Sequence, residues 1–181
     1  MKAVTGGCHL HTALAEPTSV AIPLERAFRA HHALVFRAAY RITGNAADAE
    51  DVLQTVFLRL IRQGEHAEAI ENEESYFRRA AINAALDVVR SRQADRTTEL
   101  EDVHIAAASG ISSELRQALT RALGQLKAQP AEIFTLRFFE GFTNPQIARM
   151  LGISQVLVAV IIHRTRKQLR KELGQYLGDR S

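Results

Sequence analysis

Apolar residues recur at steps of three and four along almost the whole chain from Leu24 onward, and that spacing commits it to helices. Leu24, Phe28, Leu34, Val35, Ala38, Ala39 and Ile42 make a first stripe that stops at Thr43-Gly44. Asn45 is a natural cap for the next helix, with Asp48 at capping-box spacing behind it. Ala49, Val52, Leu53, Val56, Phe57, Leu60 and Ile61 form a second stripe, ended by Gly64. After an acidic connection over residues 65–74, a third helix is expected from about Ser75 to Arg92, with Phe77, Ala81, Ala84, Ala85 and Val88 inward.

Periodicity is lost over residues 93–112 and resumes at about Ser113 through Leu115, Leu119, Leu123 and Leu126. Pro130 is expected to open a further helix carrying Ile133, Phe134, Leu136 and Phe138, and a long final helix runs to about Leu177. The expected fold is all-α, with two small helical domains at 23–93 and 113–177. A flexible linker, 94–112, joins them and a flexible tail, 1–22, precedes them.

Composition narrows the function classes. The longest apolar run, Val156–Ile162, is far short of a membrane span, so direct membrane insertion is not expected and a cytoplasmic location is. The single cysteine, Cys8, excludes a disulfide framework, and Cys8, His9 and His11, even with His31 and His32, have no spacing that closes a metal site. No nucleotide-binding, zinc-protease or nucleophile-elbow motif occurs, so neither catalysis nor a cofactor is expected.

Charge is more informative. The chain carries +3 overall, yet residues 121–181 sum to +6 while residues 43–76 sum to −6. Nineteen of the 23 bases are Arg, whose planar fork suits phosphate. A basic rear part and an acidic front stretch suggest two surfaces, one for DNA and one for a basic protein.

Residues Asn144–Ile162 fit a helix-turn-helix template. Ile147, Leu151, Ile153, Val158 and Ile161 take the core positions, Ala148 the crossing and Gly152 the turn. Thr143 and Ser154 stand where caps belong. Val156, Val158, Val160 and Ile162 alternate and are β-branched, which taken alone favours a strand, but the helical pattern on both sides favours helix. Arg164, Arg166, Lys167, Arg170 and Lys171 follow as a phosphate-facing cluster.

In the first domain, Tyr76, Arg79, Asn83 and Arg90 lie at helical spacing on the face opposite the apolar stripe, a mixture suited to single-stranded DNA. Glu50, Asp51, Gln54, Thr55 and Leu58 form the outward face of the second helix, where an exposed Leu58 suggests docking. From these residues alone, a conventional helix-turn-helix regulator acting without polymerase remains an alternative, as does a protein whose apolar helix 155–162 packs on another chain.

Ala49–Leu60, with its sequence Ala-Glu-Asp-Val-Leu-Gln-Thr-Val-Phe-Leu-Arg-Leu, resembles the second conserved region of bacterial RNA polymerase sigma factors. Ser75–Asp87 resembles the adjoining promoter-melting helix, and Phe134–Phe142 with the helix-turn-helix resembles the fourth region. The two-domain order is similar to the extracytoplasmic-function (ECF) group, over about residues 24–175.

The resemblance implies a factor that binds core RNA polymerase and directs it to promoters. Glu50, Asp51, Gln54, Thr55 and Leu58 would dock on the β′ clamp helices, and the rear domain would meet the β flap. Tyr76, Arg78, Arg79 and Arg90 would hold the melted −10 strand, with Asn83 and the loop 65–74 capturing an unstacked base. Ser154, Gln155, His163, Arg164, Arg166 and Lys167 would contact the −35 duplex. An anti-sigma factor is the further partner implied. Two departures stand out: Tyr76-Phe77 replaces the usual Trp-Leu, and Ala159, Val160 and Ile161 stand where polar base readers are usual.

Overall fold

The computed structural model describes residues 24–63, 72–96 and 113–177. They form seven helices and no strand: α1 (Leu24–Thr43), α2 (Ala46–Gln63), α3 (Glu73–Arg96), α4 (Ser113–Gln125), α5 (Ala128–Phe138), α6 (Asn144–Leu151) and α7 (Gln155–Leu177). The expected tail, most of the acidic connection and most of the linker, with Cys8, His9 and His11, lie outside the described residues.

The front lobe is a bundle of α1, α2 and α3, each packed on the other two. Its centre is a run of rings. Phe57 lies 5.0 Å from Phe28 and 5.3 Å from Phe77, and His31 stacks on Phe77 at 4.5 Å. His31 Nε2 also meets Glu73 Oε2 at 3.1 Å, while His32 Nδ1 bonds the Phe28 carbonyl. Asn45 caps α2 as expected, its side chain accepting from the Ala47 N–H at 2.8 Å. Asp48 departs from the capping-box expectation: its buried carboxylate pairs with Arg92 of α3.

In the rear lobe α7 is the spine against which α4, α5 and α6 pack. Val158, Thr165, Leu169 and Leu173 are its buried stripe. The β-branched segment 156–162 is fully helical, because Val158 fills the core between α6 and α7 and a strand has no partner there. Gly152 makes the turn with φ 65°, a left-handed conformation that an L side chain resists. The Ile153 N–H returns to the Ala148 carbonyl at 3.0 Å and closes the α6 end. At the α6 start, Gln146 Oε1 accepts from the Thr143 N–H at 2.8 Å, with Pro145 in the first turn. Helix α5 opens at Ala128, two residues before Pro130, which sits harmlessly where helix N–H groups have no acceptor.

The two lobes are not separate. Helix α3 packs against α4 and α5 as well as α1 and α2, and one continuous core runs through both lobes. The reason lies in α3 itself. Phe77, Ala81, Ala84 and Ala85 are buried on one side, and Ile82, Leu86 and Val89 are buried on the other. A helix apolar on two sides must be covered on both. The spacing from Phe77 to Val88 predicts only the first of these stripes and a helix end at about Arg92. The helix continues to Arg96, with the Gln93 amide donating to the Arg121 carbonyl of α4 at 2.8 Å.

Candidate nucleic-acid interface

Three faces carry the residues singled out from the sequence. On α2, Glu50, Asp51, Gln54 and Leu58 are exposed and Thr55 is half-buried, while Val52, Val56, Phe57 and Leu60 are buried beneath them. Leu58 is 49% exposed. Glu50 and Asp51 make no ion pair among the described residues. Their charges face outward because the stripe at Val52 and Val56 turns the opposite side of the helix to solvent. Burial pushes the neighbouring Asp48 carboxyl up from its ordinary value, against the pull of Arg92 and with the push of Asp51.

On α7, Gln155, His163, Arg164, Arg166 and Lys167 are exposed. His163, Arg166, Lys167 and Arg170 line an open concavity of about 460 Å³. Arg166 also lies over the Phe138 ring at 5.8 Å, which steadies its stem. Ser154 accepts the Leu157 N–H at 3.2 Å and so caps the helix. Between the cap and the basic cluster the surface is apolar: Val156 is 74% exposed, and Leu157 and Val160 are also exposed. The structure therefore brings together a basic strip, but the first turns of α7 offer only Gln155 as a side-chain base reader.

The third face is the one the structure rearranges. Tyr76, Arg78, Arg79, Asn83 and Arg90 do share one side of α3, but that side is not a free surface; all five are half-buried. Tyr76 packs edge-on against Phe77 at 5.3 Å. Arg78 pairs with Glu140, two residues past the end of α5, lies over the Phe142 ring at 5.2 Å and bonds Glu74. Arg79 Nε donates to Glu132 Oε1 at 2.7 Å and its Nη1 to the Met150 carbonyl at 3.2 Å. Asn83 Nδ2 donates to the same Glu132 oxygen at 3.4 Å. Arg90 Nη2 reaches the Leu126 carbonyl at 3.3 Å.

Helical spacing predicts these side chains on a solvent face, and the second apolar stripe is the reason they are half-buried instead. Ile82, Leu86 and Val89 lie between Arg78 and Arg79 on the helical wheel, with Arg90 and Asn83 next to them, so covering this stripe partly covers the polar residues too. Three partners went unnoticed in the sequence: Arg41, Glu132 and Glu140. Arg41 Nη1 meets Glu140 Oε1 at 2.8 Å, so this carboxylate is held from two helices of the front lobe. The turn that presents Glu140 is fixed by Gly141 at φ 78° and by Arg137 Nη1, which donates to the Phe142 carbonyl at 2.9 Å.

Comparison with known proteins maps onto the two lobes. Residues 27–95 match the family described as Sigma-70 region 2, and residues 116–169 match Sigma-70, region 4. The chain is 30% identical over 150 residues to the ECF RNA polymerase sigma factor SigM of Mycobacterium tuberculosis, spanning 83% of this chain and 76% of that one. It is 33% identical over 139 residues to the RNA polymerase sigma factor CarQ of Myxococcus xanthus, spanning 75% and 80%. Two solved structures share the fold. One is the sigma factor RpoE of Bartonella quintana in complex with the anti-sigma factor NepR, with TM-score 0.53 and 21% identity over 86% of this chain and 98% of that one. The other is CnrH in complex with the cytosolic domain of CnrY, with TM-score 0.52 and 22% identity over 84% and 88%.

Proposed function

This chain belongs to the ECF RNA polymerase sigma factors, and on that premise we propose which side chains carry each of its contacts. As a sigma factor it performs no chemistry of its own: it binds core RNA polymerase and directs the enzyme to promoters. The sigma-factor relatives give no support to the alternative of a regulator that acts without polymerase.

Glu50, Asp51, Gln54, Thr55 and Leu58 dock on the β′ clamp helices. The observation that carries this assignment is one patch on α2, in which Glu50, Asp51, Gln54 and Leu58 are exposed beside half-buried Thr55 and neither carboxylate has an ion-pair partner among the described residues. Long-range attraction between those carboxylates and a basic partner speeds encounter, and Leu58 supplies the apolar contact that holds it. Tyr76, Arg78, Arg79, Asn83 and Arg90 hold the opened −10 strand. Guanidinium groups bind its phosphates, while Tyr76 and Asn83 offer stacking and an amide to an unstacked base. Loss of base stacking costs a few kcal/mol, so the open state needs several such contacts at once.

The rear lobe rests on the −35 duplex through Ser154, Gln155, His163, Arg164, Arg166 and Lys167 and meets the β flap. Most of its affinity comes from phosphates, because the apolar start of α7 can touch thymine methyl groups but cannot form paired hydrogen bonds. An anti-sigma factor, the kind of partner in the RpoE–NepR structure, holds the factor inactive. The factor works in the cytoplasm; no single helix among the described residues is long and apolar enough to cross a membrane.

The test is co-elution with purified core polymerase, followed by run-off transcription on a pool of genomic fragments. Wild-type protein should co-elute and give discrete transcripts. Asp51→Ala with Gln54→Ala should do neither while keeping its helical content, and a doubly changed protein that still co-elutes refutes the docking assignment.

A further inference from the structure

Residues 121–181 hold ten bases and only four acids, yet two of the four acids, Glu132 and Glu140, are placed against the front lobe. Each is almost fully enclosed: 9% of the Glu132 side chain and 1% of the Glu140 side chain is accessible. A carboxylate is not buried at that depth without partners, and the partners here are cations and an amide from α1 and α3. Two backbone acceptors join them. The Leu126 carbonyl, just past α4, takes Arg90, and the Met150 carbonyl, in the last turn of α6, takes Arg79. Carbonyls at helix C-termini have no acceptor role left inside the helix and carry the negative end of its dipole.

The rear lobe thus presents two carboxylates and two helix-end carbonyls to one side of α3. Every one of Arg78, Arg79, Asn83 and Arg90 is matched by one of these oxygens. Carboxylate and phosphate oxygens are interchangeable partners for a guanidinium fork. This set of acceptors is what a nucleic-acid strand would offer to the same side chains. A strand and the rear lobe therefore compete for them.

We infer that Glu132 and Glu140 are an intramolecular latch: they occupy the strand-contacting side chains of α3 in place of phosphates, so the lobes must part before the −10 strand can bind. The inference rests on the assignment of Arg78, Arg79, Asn83 and Arg90 to the opened strand. Closure lowers the apparent strand affinity by the fraction of molecules that are open. In the latched factor the rear lobe keeps its basic strip on α7 outward, so duplex and strand contacts come under separate control.

The test uses the full chain without polymerase, with small-angle scattering for lobe separation and anisotropy of a labelled oligothymidylate for strand binding. Glu132→Gln with Glu140→Gln should expand the particle and bind the oligonucleotide about tenfold more tightly, as for a closed state populated about nine times in ten. Arg41→Gln gives an independent reading. Arg41 is 48% exposed, lies outside the assigned strand contacts and bears on Glu140, so its loss should tighten strand binding severalfold. Ordinary electrostatics predicts the reverse, since removing a cation weakens polyanion binding.

A double Gln variant with wild-type dimensions and affinity, or an Arg41→Gln protein that binds more weakly, overturns the latch. If the double Gln variant loses helical content, the Arg41→Gln result decides alone. Adding Arg79→Ala and Asn83→Ala to the double Gln variant separates the two ideas. If that addition leaves strand affinity unchanged, the strand assignment is wrong; if it weakens binding while the double Gln variant is expanded but no tighter than wild type, the latch is wrong.

Discussion

Helices α2 and α3 belong to the same three-helix bundle, and each was expected to turn a functional face to solvent, yet only α2 does. Helix α2 has one buried stripe, from Val52 to Leu60, and its opposite side carries Glu50, Asp51 and Gln54 in the open. Helix α3 has two buried stripes, and the polar residues between them are covered by α4, α5 and the turn at Glu140. A polar side chain on a helix is a free contact only if the apolar residues flanking it have no second claim on a neighbour. Under the proposed assignments the two faces would therefore be used differently: the α2 patch is accessible at once, and the α3 face has to be uncovered.

The comparison can be broken most sharply at the α2 patch. Asp51→Ala with Gln54→Ala should abolish co-elution with core polymerase but change unfolding free energy by no more than about 0.5 kcal/mol, as for surface residues. A large stability loss in denaturant titration would mean that these residues are structural. On α3 the expectation inverts. Phe77→Ala, on the inner stripe, should cost about 3–5 kcal/mol, and Leu86→Ala, on the outer stripe, about 2–5 kcal/mol. If Leu86→Ala is nearly neutral in the same titration, the outer stripe is not a committed interface and the two helices are alike after all.

Smaller effects sharpen the picture. Arg164→Ala with Lys167→Ala on α7 should weaken duplex binding across sequences and reduce the slope of log affinity against log salt by about 2, one contact each. An unchanged slope would move the duplex contact off this strip. Smallest is the effect of Asp48, whose carboxyl burial raises in the folded state. A raised acid binds its proton more tightly when folded. Its stabilising contribution is complete at pH below the ordinary carboxylate value and is lost as pH rises through the raised one. Asp48→Asn should therefore flatten stability against pH over the acid range, by a slope of at most about 1.4 kcal/mol per pH unit, as chemical denaturation at stepped pH would record.

The helix-turn-helix was legible because its signals are local. Thr143, Pro145, Gly152 and Ser154 punctuate the chain within a few residues, and the αL turn at Gly152 needs no distant partner. The β-branched run from Val156 to Ile162 misleads only when read without its neighbours, since Val158 needs a core that α6 supplies. The acidic patch on α2 was legible for the same reason, one stripe implying one opposite face. What stayed hidden was the cover over α3. Its signal was present in Ile82, Leu86 and Val89, a second set at helical spacing among the polar residues, but a single-stripe reading passed over it.

Seven helical segments, the stops at Gly44 and Gly152, the caps at Asn45 and Ser154, and the charge division between an acidic front and a basic rear follow from the order of residues, because helix periodicity and capping act over a few positions. Which cation meets which carboxylate does not. Arg41 and Glu140 are 99 residues apart, and Arg79 and Glu132 are 53 apart. Spacing within a helix says nothing about such pairs. Only the packing of the rear lobe on α1 and α3 brought them within bonding distance, and that packing turned a row of polar side chains into a closed interface.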